Sequence, residues 1–442
     1  MITVVGTGTG APLPKDVAAG AALVVGGRRH LDAVVLPAGA ERVVLGPLAP
    51  ALDTIAGYVE KELPVLVLAS GDPGFFGIVR VLAERFGAER LSVRPGVSSV
   101  AAAFARLGLP WDDAVVVSAH GRALRTAVHV CRARPKVAVL TGPGAGPAEL
   151  GAALTGRDRV LVVASALGDP ARERVERVSP AEAAARDWGT AVSVVLCLAT
   201  RRGPDLRDAP GAPLVPEEPP VPEEPHVPDV SLVGKVPRAL AGAAPGPSRW
   251  ALEETEFAHR DSMITKFEVR ALALARLGPR LGDLVWDVGA GSGSVAVECA
   301  RLGAAVVAVE KSADGVSRIR ENARAHGVEV DVVHGTAPDA LDGLAQDPDA
   351  VFIGGGGREL PAVIRACAPR ARRAVVVAMA ALDRVPAARE ALTGAGLACD
   401  GVLLQSSRLT PLPGEVTRLA ATNPVFLLWG VRSPVPNRGV DQ

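Results

Sequence analysis

The sequence predicts an α/β protein in two halves, and three observations carry that prediction. Short runs rich in β-branched residues alternate with alanine-rich helical stretches, the pattern of strands and helices stacked in layers. At 442 residues the chain exceeds one domain of roughly 100–200 residues and can bury two or three cores. Between the halves, residues 204–249 hold 12 of the 37 prolines, including Pro216-Glu-Glu-Pro-Pro-Val-Pro-Glu-Glu-Pro225. Such a stretch buries too little apolar surface to offset its ordering entropy and reads as an extended tether. The expected division is therefore 1–203, a linker 204–249, 250–433 and a short tail 434–442.

In the first half, strands are expected at Ile2 to Val5, Val65 to Ala69, Ala114 to Ser118, Val137 to Leu140, Val160 to Ala164 and Val192 to Leu198. Trp111, Asp112 and Asp113 stand where one α/β lobe hands over to a second. The second half starts with a helix from Lys266 to Leu277, a strand Leu284 to Val288, a glycine loop and a helix Ser294 to Arg301. Strand Val306 to Glu310, helix Gly315 to His326, and strands Val330 to His334, Ala350 to Ile353 and Ala374 to Ala378 follow. That order predicts a doubly wound parallel sheet.

Composition narrows the function classes. With 48 basic and 48 acidic side chains the net charge is zero, so the chain lacks the basic field of a nucleic-acid binder or a membrane-surface protein. A small-molecule partner is expected. Cys131, Cys197, Cys299, Cys367 and Cys399 are scattered, with no C-x-x-C pair and no histidine at ligand spacing, which indicates neither a metal site nor a disulfide framework. No charged head with an apolar run opens the chain, and no stretch of about 18 uncharged apolar residues occurs. A cytoplasmic protein is expected.

Chemistry concentrates in glycine loops. Trp286-Asp-Val-Gly-Ala-Gly-Ser-Gly293 follows an apolar strand and opens a helix, and its glycines let the backbone approach a ligand that a β-carbon would push away. A dinucleotide fold wants G-x-G-x-x-G; here the third glycine comes one position early and Ser294 takes its place. This spacing, with an acid ending the next strand, suits S-adenosylmethionine, which has ribose hydroxyls but no phosphate. Glu310, 17 residues after Gly293, is the expected ribose acceptor, and Asp287 stands beside the loop to orient it or face the sulfonium. His334-Gly-Thr-Ala-Pro338 follows the third strand. In the first half, Gly6-Thr-Gly-Thr-Gly10 follows the opening strand, and Val67-Leu-Ala-Ser-Gly-Asp-Pro-Gly-Phe-Phe-Gly77 empties into a polar turn. Pro73 bars helix at Asp72. Arg94-Pro-Gly-Val-Ser-Ser99 brings hydroxyls and amides to the same sheet edge, where open α/β sheets bind ligands.

The Gly6 to Gly10 loop, Gly26-Gly-Arg-Arg-His-Leu31, Leu68-Ala-Ser-Gly-Asp-Pro73, Pro95-Gly-Val-Ser-Ser99, Ser118-Ala-His-Gly-Arg122 and Leu167-Gly-Asp-Pro-Ala-Arg-Glu-Arg174 together resemble the tetrapyrrole methylases of corrin synthesis. The second half resembles their decarboxylating partner through His259-Arg-Asp-Ser-Met-Ile-Thr-Lys266, the Asp287 to Gly293 loop, Phe352-Ile-Gly-Gly-Gly356 and Asn423-Pro-Val-Phe426. Both in one chain, in this order, are similar to the family of decarboxylating precorrin-6Y C5,15-methyltransferases of cobalamin biosynthesis. The resemblance implies a two-lobed tetrapyrrole methylase fold followed by a Rossmann-like methyltransferase, with one S-adenosylmethionine per domain. Gly6, Gly8, Gly10, Asp72, Ser98 and Ser99 would line the first cofactor site; Gly289, Gly291, Gly293, Glu310, Thr336 and Ala337 the second. The first domain would methylate C5 of precorrin-6B; the second would methylate C15 and release the ring C acetate as carbon dioxide, giving precorrin-8X. Gly354 and Gly355 would meet substrate, and a homo-oligomer is implied. Where relatives read Val-Ala-Asn-Ala-Val-Thr, this chain reads Val377-Ala-Met-Ala-Ala-Leu382, so a polar contact is missing at Met379. Two alternatives stay open: a cobalt-loaded substrate, and a first domain that only docks substrate.

A polyacidic macrocycle calls for charge-assisted contacts. Arg260 and Lys266, before the first helix of the second half, supply them, and His259 and Thr265 stand beside them as candidate catalytic groups, although Thr265 and Glu268 equally fit a helix start. His120 follows a strand near the substrate edge of the first half. Arg28, Arg29 and His30 either bind carboxylates or coat a surface turn.

Overall fold

β1 (Ile2–Thr7) is a run of β-branched residues whose Ile2, Val4 and Val5 are buried, a composition that fits a pleated, covered surface. The structure is a computed structural model describing residues 1–9, 16–189, 193–200, 249–260, 264–355, 357–414 and 416–432. The expected tether lies outside the described residues except for Arg249, as does the tail 434–442. Two compact units result: Met1–Ala123 with Pro135–Ala244, and Leu124–Arg134 with Pro245–Gln442.

In the first unit, β2 (Leu23–Gly26), α1 (Arg28–Asp32), β3 (Glu41–Val44), α2 (Leu48–Glu60), β4 (Val65–Ser70), α3 (Val79–Phe86), β5 (Leu91–Arg94) and α4 (Ser99–Arg106) follow β1. The strands form one parallel sheet in the order β3-β2-β4-β1-β5, with β1 in register with β4 from Ile2↔Val65 to Thr7↔Ser70. β2 is buried throughout, as a parallel strand covered on both faces should be. The chain then passes Trp111 to Asp113 and builds a second sheet. Its elements are β6 (Val115–Ser118), α5 (Leu124–Ala133), β7 (Lys136–Leu140), α6 (Pro147–Leu154), β8 (Arg159–Ser165), β9 (Arg174–Val178), α7 (Pro180–Ala184) and β10 (Ser193–Ala199). Of these, α5 falls in the second unit. The order is β6-β7-β10-β8-β9, parallel only between β6 and β7. The connection from β8 to β9 is too short for a crossover, so that pair must run antiparallel. Val192, the expected start of the last strand, lies outside the described residues.

The second unit runs α8 (Phe267–Leu277), β11 (Leu284–Val288), α9 (Ser294–Arg301), β12 (Ala305–Glu310), α10 (Ala313–Ala325), β13 (Asp331–His334), β14 (Ala350–Gly354), α11 (Leu360–Cys367) and β15 (Ala374–Met379). After α12 (Val385–Gly394) come β16 (Ala398–Leu404), the hairpin β17 (Ser407–Leu412) and β18 (Val416–Ala421), and β19 (Val425–Val431). The expected strands form the parallel core β13-β12-β11-β14-β15. The sequence reading did not foresee β19, inserted antiparallel between β15 and β16. Trp286, Val288, Val351 and Ile353 pack on one face of the sheet while Val285 and Phe352 pack on the other, the period-two signature of a sheet covered on both sides. The strand order reverses between β11 and β14, which leaves a crevice at their carboxyl ends. Among the described residues no helix is long and apolar enough to cross a membrane.

Candidate functional site

In the second unit the glycine loop lies over that crevice. Gly289 has φ +73°, and a β-carbon there would stand 2.5 Å from the Gly354 carbonyl oxygen. The two strand ends can therefore meet only through glycine. Gly291 (φ +57°) opens into free space, whereas a β-carbon on Gly293 would press on Ile319 at 2.9 Å. Two cavities flank the Gly289–Gly354 contact. One of about 400 Å³ is lined by Gly289, Glu310, Lys311, Thr336, Ala337 and Gly354; the other, about 280 Å³, by Thr265, Lys266, Gly289, Gly291, Gly355 and Met379, among others. Most of the residues expected at the second site thus come together around one point.

Glu310 is nearly buried, and its carboxylate is already engaged: Gly291 N donates to Oε2 and Ser312 N to Oε1, each at 2.9 Å. A carboxylate has about four acceptor positions, so the residue can strut the loop and still receive two ligand hydroxyls. Asp287 lies beneath the loop and lines neither cavity. Its Oδ2 accepts from Ala296 N at 2.9 Å, while Oδ1 is buried with no partner among the described residues. Burial pushes its carboxyl up to about 7, the Glu310 charge adds to this, and the Ala296 amide opposes it. The folded state therefore holds a proton that the unfolded chain releases near pH 4. Its stabilising contribution is complete below about pH 4 and is lost as pH rises through about 7. Thermal melts of Asp287→Asn should lose that part of the pH dependence; a profile matching wild type would refute the assignment.

The start of α8, beside the smaller cavity, is held by Glu254, Arg408 and Asn322, which the sequence reading missed. Lys266 precedes α8 with no side-chain capping bond, and Phe267 N donates to Glu254 Oε1 at 3.0 Å. Arg408, on the unforeseen hairpin, grips Glu254 with Nη1 and Nη2 at 2.8 and 2.9 Å and reaches Glu268 Oε2 at 3.0 Å. Burial alone would raise the Glu254 carboxyl, but the bonds from Arg408 and Phe267 N outweigh it and hold it at about 2. This support is present above about pH 4.3 and lost only as pH falls through about 2. Arg408→Ala, which strands the Glu254 carboxylate, should cost about 1–3 kcal/mol, read from denaturant unfolding. Asn322, buried in α10, accepts from Ala258 N at 2.7 Å and donates to Ala258 O at 2.9 Å and Ser292 O at 2.8 Å, tying the segment before α8 to the glycine loop. His259 and Arg260 are exposed and line neither cavity. Neighbouring Asp261 to Met263, like Gly356, lie outside the described residues.

In the first unit, Gly6, Gly71 and Gly96 meet at the ends of β1, β4 and β5. A β-carbon on Gly6 would stand 2.0 Å from Gly71 O and 2.4 Å from Gly96 N, so Gly6 serves close packing of the sheet edge. Gly8 (φ +88°) covers His30, whose Cε1 lies 2.6 Å from a β-carbon built there. His30 is buried, and its Nε2 shares a 2.8 Å hydrogen bond with Ser70 Oγ, which also accepts from Arg29 at 2.9 Å. Burial, and then the Arg29 charge, push its ring down to about 4; it is a packed group and not part of a surface coat. Asp72 Oδ1 accepts from Gly74 N at 2.8 Å and closes its own turn. Ser98 Oγ caps α4 by accepting from Ala101 N, and Ser99 begins that helix. Gly10 lies outside the described residues. His120 stands apart from this group and lines a cavity of about 400 Å³ with Thr141, Gly142, Glu149, Trp188 and Ser193. Among the described residues no three metal-ligating side chains gather.

Comparison with known proteins assigns both units. Residues 1–184 match the tetrapyrrole (corrin/porphyrin) methylases and 255–429 match the precorrin methyltransferase domain. A precorrin-6Y C(5,15)-methyltransferase [decarboxylating] of Sinorhizobium sp is 36% identical over 353 residues, 78% of this chain and 75% of that protein. Single-domain relatives are a probable cobalt-precorrin-6B C(15)-methyltransferase (decarboxylating) of Pyrobaculum calidifontis, 38% identical over 37% of this chain and 87% of its own length, and a cobalt-precorrin-7 C(5)-methyltransferase of Salmonella typhimurium, 36% identical over 36% and 80%.

Proposed function

This chain belongs to the family of decarboxylating precorrin-6Y C5,15-methyltransferases, and from that premise we propose that it performs both methylations of a precorrin in cobalamin biosynthesis. The first unit would methylate C5 and the second C15, with loss of the ring C acetate as carbon dioxide, each unit holding its own S-adenosylmethionine. The observation that carries the reading is the pair of cavities meeting at Gly289 and Gly354, with Glu310 on one side and Lys266 on the other.

When bound, S-adenosylmethionine supplies an electrophilic methyl group on a sulfonium. Its adenosine suits the larger cavity, where the Glu310 carboxylate has acceptor positions left for both ribose hydroxyls. Lys266 and Thr265 at the smaller cavity would hold the substrate, the ammonium pairing with a peripheral carboxylate. The chain's task is to align a ring carbon with the methyl and to exclude water. On decarboxylation the C–C electron pair passes into the conjugated macrocycle, so the protein need only orient the acetate and return a proton to carbon. In the first unit, Gly8, Asp72, Ser98 and Ser99 at the sheet edge, and His120 at its cavity, are the proposed site residues.

Mass spectrometry of the product from precorrin-6B and S-adenosylmethionine tests the reading: two methyl groups gained and carbon dioxide lost are expected, and a single methyl would silence one unit. Calorimetry tests the stoichiometry. Two binding events should fall to one in Gly8→Arg, where the side chain meets His30, and to one in Gly291→Arg, where φ +57° strains the loop whose amide Glu310 holds. Unchanged heat for Gly8→Arg would leave the first unit as a docking module.

A further inference from the structure

Phe76, in the turn after β4, has φ +55° and a ring 41% exposed. The left-handed region is a genuine outlier for a bulky residue, tolerated where the surroundings enforce it. They do so here. Asp72 Oδ1 accepts from Gly74 N at 2.8 Å, Phe75 N donates to Asp72 O at 3.1 Å, and Val79 N donates to Pro73 O at 3.2 Å. Gly77 comes so close that a β-carbon would stand 2.2 Å from Pro73 O. Neighbouring Phe75 packs edge-on at 5.0 Å and anchors in the core of the second sheet beside Val100, Phe104 and Leu196. Folding therefore holds Phe76 in a costly conformation and still leaves its ring in water. Over that ring, 5.9 Å from its centre, lies the guanidinium of exposed Arg122, from the turn after β6 and two residues beyond His120.

We propose that Phe76 and Arg122 form a substrate-docking subsite of the first unit, the ring lying against an apolar face of the macrocycle and the guanidinium pairing with a peripheral carboxylate. The inference rests on the reading of the chain as a precorrin methyltransferase and deepens it. An apolar π-face beside a planar, always-charged fork matches a polyacid with an apolar ring face and peripheral carboxylates. The subsite lies where the turn after β4 meets the turn after β6. These are substrate-positioning groups; no bond is made or broken by either.

The test uses the full chain with its precorrin substrate, following C5 and C15 methylation in the same reaction. Phe76→Asn keeps a residue that tolerates the left-handed region and removes the ring; Arg122→Gln removes the charge. Each should raise KM for C5 methylation about tenfold, with kcat and the affinity for S-adenosylmethionine within twofold of wild type and C15 methylation unchanged. Phe76→Tyr should restore the wild-type KM. An unchanged KM in Arg122→Gln overturns the proposal. So does loss of folding or of cofactor binding in Phe76→Asn without recovery in Phe76→Tyr, since the ring would then serve the turn alone. If the wild-type chain itself fails to methylate C5, the functional reading falls first and the subsite with it.

Discussion

Gly289→Val should abolish C15 methylation and decarboxylation, with C5 methylation by the first unit retained. At φ +73° a branched side chain is strained by about 1–3 kcal/mol, and its β-carbon would lie 2.5 Å from the Gly354 carbonyl. Backbone cannot swing aside as the tip of a side chain can. Either the loop lifts or β14 shifts, and both cavities that share this contact open. A displacement of about 1 Å suffices to lose on the order of a hundredfold in rate, so mass spectrometry should find a product one methyl heavier that keeps its carboxylate. Calorimetry should still show one cofactor bound, which separates a ruined second site from a chain that failed to fold. A doubly methylated, decarboxylated product at the wild-type rate would refute the account of the loop.

Glu310→Ala should weaken S-adenosylmethionine binding in the second unit by about 1–3 kcal/mol, roughly five- to 150-fold in dissociation constant. The side chain serves twice, as acceptor for the amides of Gly291 and Ser312 and as the proposed acceptor for ribose. Glu310→Gln keeps the volume but replaces one acceptor oxygen by a donor facing an amide, so it should not rescue. Affinity for the first unit should not move. Equal affinity at the second site in Glu310→Ala would remove the residue from the cofactor's contacts.

Much of the second site was readable from local order. Apolar strands punctuated by glycine, and an acid closing the next strand, repeat over distances of a few residues, and a doubly wound sheet carries such strand ends to one edge. Glu310, Thr336, Gly354 and Lys266 accordingly line the two adjoining cavities. The role of Asp287 was not readable, because burial under the loop, and not proximity along the chain, governs its protonation. The close packing of Gly6 against Gly71 and Gly96, at the ends of two other strands, was not readable. His30, which the sequence left between binding carboxylates and coating a surface turn, is buried beneath Gly8.

Short-range chemistry in the chain thus settled where most strands, turns and loops begin, since periodicity and backbone restriction act within a few residues. Folding settled the partnerships. Arg408 reaches Glu254 across 154 residues of chain, β19 slips between β15 and β16, and Arg122 lies over Phe76. Each depends on which elements become neighbours, a matter of sheet order and packing that no local pattern encodes.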